Sequence, residues 1–254
     1  LGFAHVSETS IGAHPVAMAS LKKKFVDRSS ICTACPAAVS FIRKYVPELT
    51  DNLLPVASPM LAHAAIIRKK IGEGARVVFI GPCIAKKQEA DSSEGLQKID
   101  CALTFRELTE WFERENIRLD RLEESPFDDQ PDGQARFFPL PGGLTRTASM
   151  GSDSLIGDIV AVSGHAEFRK ILEVIEKSRV KMFVEPLFCS QGCINGPGAP
   201  ENSQLFENRR EVIDFAEQHP GSETVKHEAD EIVDASYKPE KAPEETVEIT
   251  EEAI

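Results

Sequence analysis

Six cysteines carry the most evident chemistry in this sequence: Cys32, Cys35, Cys83, Cys101, Cys189 and Cys193. A thiolate can ligate a soft metal or attack an electrophile, and a buried thiol can sit inert in a core. Four of the six share a setting. Cys35 precedes Pro36, which opens a helix, so its sulfur is expected near a helix N-terminus where the dipole favours a thiolate. Cys83 follows the apolar run Val77–Ile80, in Gly81-Pro82-Cys83-Ile84-Ala85-Lys86-Lys87. Cys189 and Cys193 follow Met182-Phe183-Val184 at C-x3-C spacing, in Phe188-Cys189-Ser190-Gln191-Gly192-Cys193-Ile194-Asn195-Gly196-Pro197-Gly198. Open α/β sheets form their sites beyond the carboxyl ends of strands, and these cysteines fit that rule. Four thiolates are the ligand set of a [4Fe–4S] cluster. The glycines near Cys193 let backbone N–H groups approach a sulfur, and Lys86 and Lys87 can offset anionic charge. An alternative stays open: Cys32-x2-Cys35 with Cys189 and Cys193 would make an all-cysteine zinc site, leaving Cys83 unexplained. Cys101 reads as an inert core thiol within a strand.

Those residues need elements to position them. Val77–Ile80, Cys101–Leu103, Ile159–Val162 and Met182–Val184 are short apolar runs that read as buried strands. Ala38, Phe41, Ile42 and Tyr45 follow the spacing of one helical face, as do Phe168, Ile171, Leu172 and Ile175. Thr104 to Glu107 forms a T-x-x-E capping box ahead of Leu108, Trp111 and Phe112. Ser58-Pro59 supplies an N-cap and first-turn proline for a helix reaching Ile71. Residues 123–136, rich in Asp, Pro and Gly, read as a long loop. Alternation of this kind predicts an α/β fold with mostly parallel strands flanked by helices. Trp111 and Phe112 read as helix packing, His63 as core or surface, and Glu107 as a cap. His5, His14, His165, His219 and His227 have no metal-site spacing. Gly142-Gly143 lies outside any GxxxxGK phosphate loop.

The chain has 254 residues, of which 41% are apolar and 28% charged, an ordinary globular composition with ample length for a core. A net charge of −12 argues against nucleic acid as a partner. No apolar run approaches the roughly 20 residues that span a bilayer, so no membrane partner is expected. The N-terminus lacks a basic region followed by an apolar one, so no signal peptide is expected, and free thiols then fit a cytoplasmic location. The charge is uneven. Residues 221–254 carry 11 acidic side chains against three lysines. We therefore divide the chain into a cluster-binding domain over residues 1–220 and an acidic linker or tail over 221–254. Thr250-Glu251-Glu252-Ala253-Ile254 could open a helix. The first residue is Leu1, and both ends are expected to be cuts from a longer chain, with a further domain downstream.

These segments resemble, in order and over about residues 1–200, the catalytic, cluster-binding (H-cluster) domain of the large subunit of [FeFe]-hydrogenases. Glu8-Thr9-Ser10-Ile11-Gly12-Ala13 resembles that family's D-T-x-F-G-A-D. Thr33-Ala34-Cys35-Pro36, followed by Phe41-Ile42-Arg43-Lys44-Tyr45-Val46-Pro47-Glu48, resembles T-S-C-C-P and F-I-E-K-x-x-P-E. Ser58-Pro59-Met60 resembles S-P-Q, and Pro82-Cys83-Ile84-Ala85-Lys86-Lys87-Gln88-Glu89-Ala90 resembles P-C-T-A-K-K-x-E-A. Leu103-Thr104-Phe105-Arg106-Glu107-Leu108 resembles L-T-x-R-E-L, Gly142-Gly143 the family's glycine pair, and Cys189 to Gly196 C-P-G-G-C-V-N-G. The resemblance implies two α/β lobes with the cofactor in the cleft between them. It implies Cys35, Cys83, Cys189 and Cys193 as ligands of a [4Fe–4S] cluster. It also implies Cys193 as the bridge to a diiron subsite with CO and cyanide ligands, and Lys86 against a cyanide.

The departures from that pattern cluster at the same site. Ala34 stands where the family has a proton-relaying cysteine. Pro15-Val16-Ala17-Met18-Ala19-Ser20 has no carboxylate where the family relays protons through acidic residues. Gly81 replaces a methionine and Met60 a glutamine. The pattern is similar to the family's sensory branch. It implies a hydrogen- or redox-sensing module with weak H2 turnover, acting on H2 and protons. Its partners would be an electron-transfer or signalling domain downstream and the proteins that mature the diiron site. The other readings are an active hydrogenase with a non-standard proton route, through water or Cys32, and an iron–sulfur assembly protein or scaffold without the diiron site.

Overall fold

In a computed structural model of the chain, the residues described are 1–131, 133–148, 158–177, 180–200, 204–221 and 233–243. Two parallel sheets organise the molecule. One pairs β2 (Val78–Gly81) with β3 (Cys101–Thr104). The other runs in the order β1 (Ser30–Ile31), β5 (Phe183–Leu187), β4 (Ile159–Ser163). The helices are α1 (Ser10–Lys22), α2 (Pro36–Tyr45), α3 (Pro59–Ile71), α4 (Ala85–Asp91), α5 (Phe105–Arg114), α6 (Gly143–Thr147), α7 (His165–Lys177) and α8 (Leu205–Gln218). The α/β expectation therefore holds, with parallel sheets flanked by helices.

The central strand β5 is buried at every position. It nonetheless contains Pro186, which has no N–H to give a ladder. The register explains how this is accommodated. The Cys32 amide donates to the Val184 carbonyl at 2.9 Å, so Val184 and, two residues on, Pro186 face the β1 side. By Pro186 β1 has ended, its last paired residue being Ile31 opposite Val184. The missing donor thus faces a stretch of edge with no strand to pair. The same geometry keeps β1 to two residues, too short to be read from the sequence.

Helix packing follows side-chain size. Gly12 in α1 lies so close to α3 that a Cβ there would overlap the Pro59 carbonyl and come within 2.9 Å of the His63 side chain. Ala62, Ala64 and Ala65 of α3 are fully buried, and small residues on both helices permit the close approach. Phe168, Leu172 and Ile175 of α7 pack with Ala38, Val39 and Ile42 of α2 over the three-stranded sheet; the α7 face is the expected one, whereas on α2 Val39 joins the buried side and Tyr45 is exposed. The Thr104–Glu107 capping box forms with both of its hydrogen bonds.

Several expectations need correction. Cys101 is exposed rather than core, because it opens β3 at an edge of the two-stranded sheet. Ser58 occupies the N-cap of α3 but its side chain makes no cap bond, and its buried hydroxyl has no hydrogen-bond partner among the described residues. The loop over 123–136 ends in a 3-10 turn, Gly133–Phe137. Helix α8 was not anticipated, because only Ala216 on it is buried. The acidic composition beyond Gly221 predicts a solvated tail, yet Val233 is fully buried. His227 and the helix suggested at Thr250 lie outside the described residues.

Candidate metal centre

Cys35 is the N-cap residue of α2, with extended backbone angles, and is 8% exposed. The backbone N–H groups of Phe188 and Ala38 point at its sulfur. The expectation that the helix terminus leaves a ready thiolate is corrected. Burial raises the Cys35 thiol above its usual range, and the two N–H groups offset this only in part. Cys83 leads from β2 towards α4 and is half-buried.

The loop after β5 carries the other two. Gly192 adopts φ +96°, and a Cβ there would overlap the Pro139 carbonyl. This close approach lets the Cys193 amide donate to the Pro139 oxygen at 2.8 Å. On its far side the loop seats against the other sheet. The Gly198 amide donates to the Pro82 carbonyl at 2.9 Å, and a side chain at Gly196 would collide with that same oxygen. The Cys193 loop is therefore pinned between Pro139 and Pro82, the latter adjacent to Cys83. This is where the carboxyl ends of the two sheets meet.

The electrostatics show which cysteines share a space. Burial pushes Cys189 up to about 11, with Cys35 and Cys83 adding to the rise. Burial also raises Cys193, and Cys35, Cys83 and Cys189 raise it further while Lys86 opposes them. Cys35 in turn feels Cys83 and Lys86. Cys32 stands apart. It is 1% exposed, and burial and then Glu185 raise it, with no contribution from the other cysteines. Among the described residues no group of three or more His, Cys, Asp or Glu side chains is close enough to hold a single metal ion. The all-cysteine zinc site that includes Cys32 is therefore unsupported. A cubane cluster makes a different demand. Each thiolate binds a different iron, so the sulfurs stand around the rim of a cavity rather than converging on one point. One buried and three half-buried thiols, with one buried lysine and two N–H donors at a sulfur, fit such a group, whose irons would displace the thiol protons.

Lys86 is buried, and its ammonium pairs with Glu89 at 2.7 Å. Lys87 instead turns outward to Glu107 at 2.6 Å, and that pair, with the Thr104 bonds, pulls the Glu107 carboxyl down to about 2. Ala34 is half-buried and packs against the cluster containing Cys32, Leu54 and Phe183 rather than the one containing Cys35 and Cys193, and its methyl carries no exchangeable proton. The 15–20 stretch of α1 is buried except for Met18, and its one hydroxyl, Ser20, donates back to the Val16 carbonyl at 2.7 Å.

Sequence reasoning missed one supporting residue. Glu185, on β5, accepts the amides of Leu144 at 2.9 Å and Thr145 at 3.1 Å. It thereby caps α6, whose start needs the left-handed Gly142 and a glycine at 143, where a Cβ would overlap the Phe137 carbonyl. Burial raises this carboxyl despite those donors. Its signal was a charged residue inside an otherwise apolar strand.

Residues 1–197 match the family described as "Iron only hydrogenase large subunit, C-terminal domain". The chain belongs to this hydrogenase family. Among its relatives, the NADP-reducing hydrogenase subunit HndD of Solidesulfovibrio fructosivorans is 25% identical over 84% of this chain and 46% of its own length. This chain thus spans about half of that hydrogenase subunit. The cytosolic Fe-S cluster assembly factor NAR1 of Kluyveromyces lactis is 32% identical over 30% of this chain and 16% of its own. A variant of the [FeFe]-hydrogenase HydA1 from Chlamydomonas reinhardtii shares the hydrogenase fold. Its TM-score is 0.70 at 17% identity, over 95% of this chain and 86% of that one. Among the described residues no helix is long and apolar enough to cross a membrane.

Proposed function

We propose that this chain is an iron–sulfur module of [FeFe]-hydrogenase type that senses hydrogen or redox state and turns H2 over weakly. The observation that carries this reading is a convergence of chain segments: Cys35 caps α2 and shares an apolar cluster with Cys193, whose loop is seated on the Pro82 carbonyl next to Cys83, and the residue before Cys35 is Ala34. In this reading the four cysteines hold a [4Fe–4S] cluster and Cys193 bridges to a diiron subsite. When bound, that subsite supplies heterolytic H2 chemistry. The chain's own residues do the rest. Lys86, held by Glu89, presents a buried positive charge to an anionic ligand such as cyanide. The Phe188 and Ala38 amides stabilise charge on the Cys35 sulfur. The Pro139 and Pro82 carbonyls fix the Cys193 loop by accepting its amides.

Proton delivery is where the chain departs from a fast catalyst. General acid–base catalysis contributes typically 10²–10⁴-fold and needs a titratable group within hydrogen-bond reach. Ala34 offers none, and the Ser20 proton is committed to Val16. A site that binds H2 but exchanges protons slowly suits a detector better than a producer. A downstream electron-transfer or signalling domain and diiron maturation proteins are the partners this reading requires, and a reducing cytoplasm is the compartment that suits its open thiols.

Anaerobic reconstitution with iron and sulfide tests the ligands. About four irons per chain are expected, with severe loss in Cys35→Ala, Cys83→Ala and Cys189→Ala. Full retention in all three refutes the assignment. Adding a synthetic diiron precursor then discriminates function: sharp CO and cyanide infrared bands that shift under H2 support the sensor. The partial match to NAR1 favours a second reading, an assembly or scaffold role. An intact [4Fe–4S] cluster with no such bands supports that one.

A further inference from the structure

Within the acidic C-terminal segment, residues 233–240 lie across the loop that leads to Cys35. Val233 is fully buried in the same apolar cluster as Cys32, Leu54, Val56 and Phe183, against which Ala34 packs. The Ala57 amide donates to the Val233 carbonyl at 2.7 Å, and Val56 and Asp234 form an antiparallel bridge. Four residues on, Tyr237 packs on the other cluster, which contains Cys35 and has Cys193 at its edge. Its hydroxyl donates to the Val56 carbonyl at 2.8 Å, and the Thr33 hydroxyl donates to that same oxygen at 2.5 Å. The phenol also lies in hydrogen-bonding reach of Thr33 and in the field of Glu89, the partner of Lys86.

Both ends of this strap are clamped. Asp234 pairs with Lys23, and its carbonyl accepts from the Gln97 side chain at 3.2 Å. At the other end the Arg43 Nε donates to the Lys238 carbonyl at 2.6 Å, and the Glu240 amide donates back to the Arg43 carbonyl at 2.8 Å. The Glu240 carboxylate adds ion pairs to Arg43 at 3.4 Å and Lys44 at 3.8 Å. Arg43 and Lys44 lie on α2, the helix that Cys35 caps. A strap in a strongly acidic stretch is thus neutralised where it docks, and it touches the clusters that contain Cys32 and Cys35.

We infer that the 233–240 strap is mechanically coupled to the Cys35 loop, with Tyr237 as the positioning residue that joins them at the Val56 carbonyl. The inference rests on the reading that Cys35 ligates a cluster. Loading the site holds the 33–35 loop in one place. This holds Thr33 on Val56 and favours the docked strap over a released one. By linkage the effect is reciprocal, so a docked strap also strengthens cluster retention by the same factor.

Hydrogen exchange on the 1–254 chain, before and after reconstitution with iron and sulfide, tests this. Couplings between sites are typically about 5- to 150-fold. The Ala57 and Glu240 amides, one given to the strap and one given by it, are therefore expected to exchange at least about fivefold more slowly in the loaded protein. Tyr237→Phe removes only the hydroxyl. It is expected to abolish that difference and to shift the equilibrium partition of iron towards a competing chelator by a similar factor. Iron uptake with unchanged exchange at both amides overturns the inference and leaves the cluster reading standing. Failure to take up iron overturns both. Persistence of the difference in the Tyr237→Phe chain overturns the role given to Tyr237.

Discussion

Replacing Glu185 with leucine removes the acceptor that orders the Gly142–Gly143 turn. The side chain is 3% exposed, in the strand buried on both faces, so water does not take its place. Two amides, of Leu144 and Thr145, lose their partner. Each orphaned buried N–H costs about 1–3 kcal/mol, so the pair costs about 2–6 kcal/mol. Part of that returns because a carboxylate is no longer buried. We expect a net loss of about 2–4 kcal/mol. For a chain of this size each kcal/mol lowers Tm by about 2–4 °C, so the expected drop is roughly 4–16 °C. Circular dichroism melts of the anaerobic, reduced protein read it directly. Glu185→Gln keeps the shape and one acceptor oxygen and should lose about half as much. The pH dependence supplies an independent check. Burial raises the folded carboxyl, so above about pH 4.3 the folded chain keeps a proton that the unfolded chain has lost. The stability contributed by this group is fully present below that pH and declines as pH rises towards the raised folded value, and Glu185→Gln should flatten that slope. Because the Cys193 amide hangs on Pro139 at the start of the same turn, iron uptake should fall in Glu185→Leu as well. A Tm within 2 °C of the parent, with normal iron, would refute the bracing role.

Other outcomes follow from the same geometry. Gly196→Ala drives a methyl into the Pro82 carbonyl, which is backbone and cannot swing aside, so iron bound after reconstitution should drop well below the parent's while the melt shifts by only a few degrees. Ala34→Cys restores a titratable group beside the site and should raise H2 turnover in the diiron-loaded protein by at least tenfold if proton delivery is limiting; an unchanged rate, measured by gas chromatography, points to Gly81 or the missing carboxylates of α1. Glu107 is held down to about 2 by Lys87 and Thr104. Its contribution is present above the unfolded value near 4.3 and is lost as pH falls towards 2, and Glu107→Gln should remove that acid sensitivity. Half-exposed as the pair is, the effect should be small and should shrink in high salt.

The sequence alone was sufficient for anything governed by local pattern. The face of α7 was legible because helical periodicity marks the buried side, that of α2 only in part since Tyr45 is exposed and Val39 buried, and the Thr104–Glu107 cap was legible because both of its bonds close within four residues. Motif order along the chain was sufficient for the hydrogenase family. The grouping of Cys35, Cys83, Cys189 and Cys193 is proposed from strand ends and helix starts, which share one end of a parallel sheet. Other features depended on contacts between distant segments. Strand β1 is two residues long and exists only because β5 offers it an edge that Pro186 then closes. Glu185 looks like a misplaced charge until the amides of α6 arrive 40 residues earlier in the chain. Cys32 and Cys35 are three residues apart, yet one follows β1 into the cluster near Glu185 and the other caps α2 in the cluster that holds Cys193. Composition beyond Gly221 predicts solvent, and the fold buries Val233 and half-buries Tyr237 there, because burial is decided by the surface a segment meets rather than by its own average charge.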